Sequence, residues 1–417
     1  MKKAWIINIG DELLAGRTVN TNAAYLGRKL FETMVEPIGV STIPDKLEVI
    51  KEHIAEALEE ADIVLMTGGL GPTHDDVTKQ AIAEHLNRDF YFDEETFENI
   101  KDLFEGRGIE VKPAHKKQSY MPKGCELFTN RMGTAPGMWF DLGEKHLISL
   151  PGVPYELEYL MEHGILDKIN SLSPETGYEE VVLRTAGVPE SVLAELLEED
   201  IASLPEEASL AFLPSPGEVK VRLTVRTASA EQAKELMGEI EPEIAQKLAP
   251  WLYAKGHEGL KEILGGLFKE SGKTLATAES CTGGKLAHTI VSVPGASKYY
   301  WGSTVTYQNE LKEKWLGVDP EVLKNKGAVS EETVKAMVDG VLKWSGADIA
   351  ISISGIAGPT GGTPEKPVGT IWVAWGDNNQ VKTKKLQLWD QREKNIDYTV
   401  SFCLNALIKF LKQYYLS

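Results

Sequence analysis

The chain opens with apolar β-forming runs, separated by stretches in which apolar positions recur every three to four residues. Residues 4–9 (AWIINI), 63–66 (IVLM) and 146–150 (HLISL) read as buried strands, and 21–32, 45–60 and 77–85 as helices. Strands separated by helices imply right-handed crossovers and a mostly parallel sheet. The pattern then changes. Val219, Val221, Leu223 and Val225 alternate with charged or polar residues, as in a sheet wet on one face. Strands are expected at 179–185, 210–213 and 219–227 and helices at 189–199 and 231–248, a small α+β unit. The last stretch returns to α/β alternation, with strands at 274–278, 302–307, 349–354 and 370–375 and helices at 283–291, 331–344 and 396–414.

Composition narrows what such a chain can be. Its 417 residues exceed what one hydrophobic core supports, and 42% hydrophobic with 25% charged residues is ordinary globular usage. The net charge of −18 disfavours a polyanion partner for the chain as a whole, so nucleic acid is not expected. That charge is uneven: −11 over residues 1–170, −9 over 171–255 and +2 over 256–417. The shifts coincide with linker-like SLSPETG at 171–177 and YAKGHEG at 253–259, which sets domains of 1–170, 171–255 and 256–417. Cys125, Cys281 and Cys403 are too few and too scattered for a disulfide framework or a zinc site. The opening MKKAWIINIGDELLAG reads as a strand and its loop, and no run of about 18 apolar residues would span a membrane. A cytoplasmic protein is expected.

In open parallel sheets, ligands bind beyond the carboxyl ends of the strands. In the first segment those ends carry Gly10-Asp11-Glu12, Thr67-Gly68-Gly69-Leu70-Gly71-Pro72, Asp75-Asp76 and Pro151-Gly152-Val153-Pro154 with Glu156. Glycines after a strand let backbone N–H groups approach a phosphate. Five carboxylates are more than an anion site wants, unless a divalent cation bridges them to substrate phosphates. The alternative is that Asp75 and Asp76 cap the following helix and the glycines serve turns. Neither GxGxxG nor a Walker loop is present.

The third segment holds the stronger constellation. TLATAESCTGG puts Ser280 on the turn between a strand and a helix, with the N–H groups of Cys281, Thr282 and Gly283 available to a developing oxyanion. Serine needs a base. His288 lies seven residues beyond Cys281, a helical rise of about 10 Å, and reaches neither Cys281 nor Ser280. The next strand end supplies Thr306-Tyr307-Gln308-Asn309 and then Lys312. A buried lysine of depressed pKa can activate serine, with Tyr307 to relay the proton; taken alone, Lys312 reads as a solvated helix residue. The glycine-rich run from Ser354 through Gly355 and Gly358 to Gly362 can hold a phosphate, and Arg392 can pair with one or lie on the surface.

At these residues the chain resembles the CinA family (competence/damage-inducible protein CinA) over its whole length. GDELLAGRTVNTNAAYL at 10–26, TGGLGPTHDDVT at 67–78, NRMGTAPG at 130–137 and LPGVPYE at 150–156 resemble a MoaB/MogA-like, molybdopterin-binding-like domain. AESCTGG at 278–284, VTYQNELK at 305–312, GAVSEETV at 327–334 and SISGIAGPTGGTPEKPVGT at 352–370 resemble a PncC-type nicotinamide mononucleotide amidohydrolase. The resemblance implies two α/β domains with mostly parallel sheets joined by a small α+β KH-like domain. It implies that the third domain hydrolyses nicotinamide mononucleotide to nicotinate mononucleotide and ammonia, without a cofactor. Ser280 would be the nucleophile, Lys312 and Tyr307 its assistants, and Thr282, Gly283, Gly284, Asn309, Ser354, Gly355, Gly358 and Arg392 the substrate-binding groups. For the first domain it implies cleavage of the ADP-ribose pyrophosphate with a divalent cation (Mg, Mn or Co) on Asp11, Asp75, Asp76 and Glu156. Gly10, Asn20, Asn22, Thr67, Gly68, Gly69, Gly71, Thr78, Asn130 and Gly152 would meet that substrate. The alternatives are a molybdopterin-related adenylyltransferase in the first domain, or a non-catalytic competence or DNA-damage factor. The middle segment has no GxxG clamp and is acidic, which argues against RNA and for a spacer or a homodimer contact.

Overall fold

The computed structural model describes residues 2–71, 76–106, 108, 110–111, 113–172 and 177–416, and divides into two compact units, residues 1–178 and 179–417.

In the first unit, Ile63–Thr67 and His146–Leu150 are buried at every position, as an apolar run flanked by helices on both faces requires. They lie in a six-stranded sheet ordered Val35–Ile43, Lys2–Ile9, Ile63–Thr67, His146–Leu150, Gly137–Asp141, Cys125–Phe128. The first four strands are mutually parallel, and the last two add antiparallel pairs. The pleat splits the core between the two faces. Ala4, Ile6 and Leu65 pack with Leu26 and Leu30 of helix Thr21–Glu32, while Ile7, Val64 and Met66 pack with Ile50, Ile54 and Ile82 on the other side. Val35–Ile43 was not expected as a strand. Pro37 and Gly39 interrupt its pattern, and both are tolerated because it is an edge strand whose register slips opposite Ala4 and Trp5.

In the second unit, Gly177–Ala186, Ala208–Ser215, Glu218–Thr227 and Leu252–Lys255 form a four-stranded sheet. Its apolar face (Leu183, Val219, Val221) covers Ile244 and Leu248 of helix Ala230–Leu248. The remainder is a five-stranded sheet ordered Tyr300–Val305, Leu275–Glu279, Ile349–Gly355, Thr370–Gly376, Val381–Gln387, parallel in its first three strands and antiparallel in its last two. Val381–Gln387, also unexpected, is an edge strand carrying Lys382, Lys384 and Lys385, residues that discourage further pairing.

Two layers enclose this sheet. Leu275, Ile351 and Ile371 pack toward Leu264 and Phe268 of helix Leu260–Ser271 and Leu407 of helix Arg392–Tyr414. Ala276, Ala278 and Ala350 pack toward Leu316 of helix Asn309–Leu316 and Val334 and Val338 of helix Glu331–Ser345. The alanines let this second layer come close. Gly340 comes closer still, since a Cβ there would sit 2.0 Å from the Leu316 carbonyl oxygen. Gly340→Ala must push helix Asn309–Leu316 away, at a cost of about 1–3 kcal/mol. Thermal unfolding of the full chain is expected to show a lower midpoint for the variant; an unchanged midpoint would contradict this packing.

Candidate functional site

Ala276 and Ala278 alternate toward helix Asn309–Leu316, and Ser280, the next residue in that phase, leaves the sheet on the same side. Lys312 comes down from that helix and is 1% exposed. Its Nζ lies 3.2 Å from Ser280 Oγ and donates to the Thr306 carbonyl at 2.6 Å. Burial lowers its pKa from the ordinary 10.5, against a smaller opposing effect of Cys281.

Glu279, overlooked in the sequence, is fully buried. Its carboxylate accepts from Thr282 Oγ1 at 2.7 Å and from the N–H groups of Gly284, Leu286 and Ala287 at 3.1, 3.2 and 2.8 Å. Four charge-assisted bonds therefore hold the turn that carries Ser280. Thr282's hydroxyl is engaged there, and Gly283 N–H donates to the Ser280 carbonyl at 3.1 Å. Of the three expected oxyanion donors, the Gly283 amide is therefore engaged within the turn. The Cys281 thiol is pushed up to about 12 by burial and stays protonated beside the serine.

A second group of expected residues is joined by Arg392. Arg392 donates to Tyr307 Oη at 3.2 Å and to the Gly358 carbonyl at 3.0 Å, which joins two of the expected substrate residues to one expected catalytic residue. Tyr307 is 54% exposed, and Asn309 and Gly283 are also exposed. Ser354 is turned inward, its hydroxyl donating to the Ala328 carbonyl at 2.7 Å; Gly355 follows it at the strand end and Gly284 precedes helix Lys285–Val291. Asn395, buried and also overlooked, donates to the carbonyls of Ala357 and Trp389 and accepts from Trp389 N–H. It ties the glycine-rich loop to the helix that bears Arg392.

In the first unit, a cleft of about 600 Å³ opens at the carboxyl ends of the parallel strands. Gly10, Glu12, Asp45, Gly68, Gly69, Gly71, Asp76, Gly152 and Glu156 line it. Gly68 has φ of 108°, and a Cβ there would meet the Ile9 carbonyl oxygen at 2.2 Å, so no other residue fits this turn. Several predicted residues build the wall. Asn22 Nδ2 donates to Thr67 Oγ1 at 3.1 Å and to the Gly152 carbonyl at 2.8 Å, Thr67 donates to the Pro151 carbonyl, and Thr78 donates to the Gly68 carbonyl. Asn130 Nδ2 donates to Glu156 Oε2 at 2.7 Å, and Asn20 caps helix Thr21–Glu32 by accepting from Ala23 N–H. Asp11 is exposed on helix Asp11–Leu14 and does not line the cleft; Asp75 lies outside the described residues.

Asp45 is the carboxylate the sequence did not single out. Burial first, then the charges of Asp11, Glu12 and Asp76, raise its pKa to about 6, against a hydrogen bond from the Asp11 backbone. Among the described residues, no three His, Cys, Asp or Glu side chains gather into a metal-holding group. A magnesium-like ion held by one or two carboxylates and completed by substrate phosphates suits such a cleft better than a closed protein cage.

With both sites in place, the comparisons with known proteins are specific. Residues 5–170 match the probable molybdopterin binding domain, 180–254 the damage-inducible protein CinA KH domain, and 257–411 the CinA C-terminal domain. A CinA-like protein of Cytophaga hutchinsonii is 43% identical over 411 residues, covering 98% of each chain. A CinA-like protein of Kosmotoga olearia is 40% identical over 409 residues, covering 98% of this chain and 99% of its own. A crystal structure of CinA from Thermoplasma acidophilum is 37% identical, covers 40% of this chain and 98% of its own, and has a TM-score of 0.38. No helix among the described residues is long and apolar enough to cross a membrane. By full-length identity and by three successive domain matches, the chain belongs to the CinA family.

Proposed function

We propose that this chain is a two-site hydrolase of pyridine-nucleotide breakdown products. Its third domain opens the amide of nicotinamide mononucleotide, and its first cleaves the pyrophosphate of ADP-ribose. What carries the reading is the buried Lys312 amine 3.2 Å from Ser280 Oγ, a base and nucleophile within reach of each other.

The chemistry follows from that pair. Neutral Lys312 takes the Ser280 proton as Oγ attacks the carboxamide carbon, and the amides of Cys281 and Thr282 would donate to the oxyanion. Lys312 then passes the proton to the departing nitrogen, which leaves as ammonia. Water attacks the acyl-serine ester, Lys312 takes its proton and returns it to Ser280, and nicotinate mononucleotide is released. Arg392, held by Tyr307 and Gly358, suits the substrate's phosphate.

In the first unit, one or two of the cleft carboxylates Glu12, Asp45, Asp76 and Glu156 would hold a divalent cation, which would neutralise charge on the substrate's pyrophosphate. Gly69, Gly71 and Gly152 leave backbone within reach of phosphate oxygens. A molybdopterin-related adenylyl transfer is the second reading, favoured by the match of residues 5–170. Incubating full-length protein separately with ADP-ribose plus magnesium and with molybdopterin plus ATP distinguishes the two.

Ammonia release from nicotinamide mononucleotide is expected to fall at least about 10³-fold in Ser280→Ala and in Lys312→Met. Either variant retaining wild-type turnover would contradict the mechanism. A chelator is expected to stop ADP-ribose cleavage while leaving ammonia release intact. Glu156→Gln should slow that cleavage at least about 10-fold; cleavage that persists in the chelator would remove the cation from this account.

A further inference from the structure

An amidase working through an acyl-serine must also place a water for the second half of its cycle, and neither Ser280 nor Lys312 alone fixes where that water sits. The strand register indicates a third group. Ala278 pairs with Thr304 and Glu279 with Val305, so the next position sets Thr306 beside Ser280. Ala278 faces helix Asn309–Leu316, so Thr304 and Thr306 share the face on which Lys312 meets Ser280. Thr306 is bound by its backbone on both sides: its N–H donates to the Glu279 carbonyl at 2.8 Å, and its carbonyl accepts from Lys312 Nζ at 2.6 Å. Its side chain is 0% exposed, yet its hydroxyl has no hydrogen-bond partner among the described residues. Buried hydroxyls are rarely left so, and one on the face shared by Ser280 and Lys312 needs a reason. A valine would fill the same space without that penalty.

We infer that the Thr306 hydroxyl holds the water that hydrolyses the acyl-Ser280 intermediate, beside the Lys312 amine that deprotonates it. The inference rests on the acyl-serine reading above. In the step, the water oxygen bonds to the acyl carbon while its proton goes to Lys312 Nζ. The carbon–Oγ bond then breaks, and Lys312 returns the proton to Ser280 Oγ. Thr306 accepts a hydrogen bond from the water, or donates one to it, and is not consumed. Because the water is needed only after ammonia has left, loss of this hydroxyl should act on deacylation and leave acylation alone.

Rapid-mixing kinetics on the full-length protein separate the two half-reactions, with ammonia and nicotinate mononucleotide followed independently. Thr306→Val is expected to give a burst of about one ammonia per site, followed by turnover slowed about 100-fold. kcat and KM should fall together, leaving kcat/KM near wild type. Thr306→Ser should restore wild-type kinetics. Thr304→Val, which removes the other unpartnered hydroxyl on this face, should show no burst. If Thr306→Val does not fold, Thr306→Ala is read in the same way. Wild-type kinetics in the variant, or a loss of kcat/KM without a burst, would overturn the role of Thr306 alone. Full ammonia release by Ser280→Ala would instead overturn the acyl-serine reading, and this inference with it.

Discussion

A lysine amine closed between two layers of a domain is the constraint around which the second unit is organised. An ammonium ion there would be stripped of water, so burial favours the neutral amine. That preference is useful only where the amine can take up a proton, and Ser280 lies 3.2 Å away. The rest of the layer holds this arrangement. Alanines at 276, 278 and 350 and the close approach at Gly340 bring helix Asn309–Leu316 near enough to the sheet. The Glu279 carboxylate gathers the turn on which the serine rides. Removing water from both groups strengthens their interaction, as a base and nucleophile require.

The charge distribution separates the two units in the same sense. Residues 256–417 are close to neutral, which on the proposed reading lets an anionic mononucleotide approach Arg392 without general repulsion. Residues 1–170 are strongly acidic, and their cleft concentrates Glu12, Asp45, Asp76 and Glu156. On the proposed reading, a phosphate substrate there would need a cation with it. Within that cleft, burial first and then the charges of Asp11, Glu12 and Asp76 hold the Asp45 carboxyl above its ordinary pKa.

Most of the architecture could be read from periodicity, because helix Thr21–Glu32 and strands such as Ile63–Thr67 and His146–Leu150 bury faces with regular spacing. Edge strands were harder. Val35–Ile43 and Val381–Gln387 carry proline, glycine or lysine because they are half paired, and so lose the pattern that identifies central strands. In the site, Ser280 and Lys312 were visible as residue types, but only the packing of alanines beneath Lys312 distinguishes a buried base from a solvated helix lysine. Glu279 had one signal, a carboxylate ending an apolar strand before a glycine-rich turn. Thr306 had none, since a β-branched residue at a strand end is unremarkable until its hydroxyl is found without a partner. The helical period read over 45–60 includes Asp45, although helix Leu47–Glu60 begins two residues later.

The central claim is that Lys312 acts as a neutral base, and the pH dependence of kcat/KM for ammonia release tests it most directly. The base is competent only when deprotonated, so activity is lost as the pH falls through its pKa. The expected profile rises with pH through one ionisation below the ordinary lysine value of 10.5 and then levels off. Lys312→Arg, whose guanidinium stays charged throughout, should lose that rise along with most of the activity. A wild-type profile flat across this range, or the same rise retained in Lys312→Arg, would contradict the account.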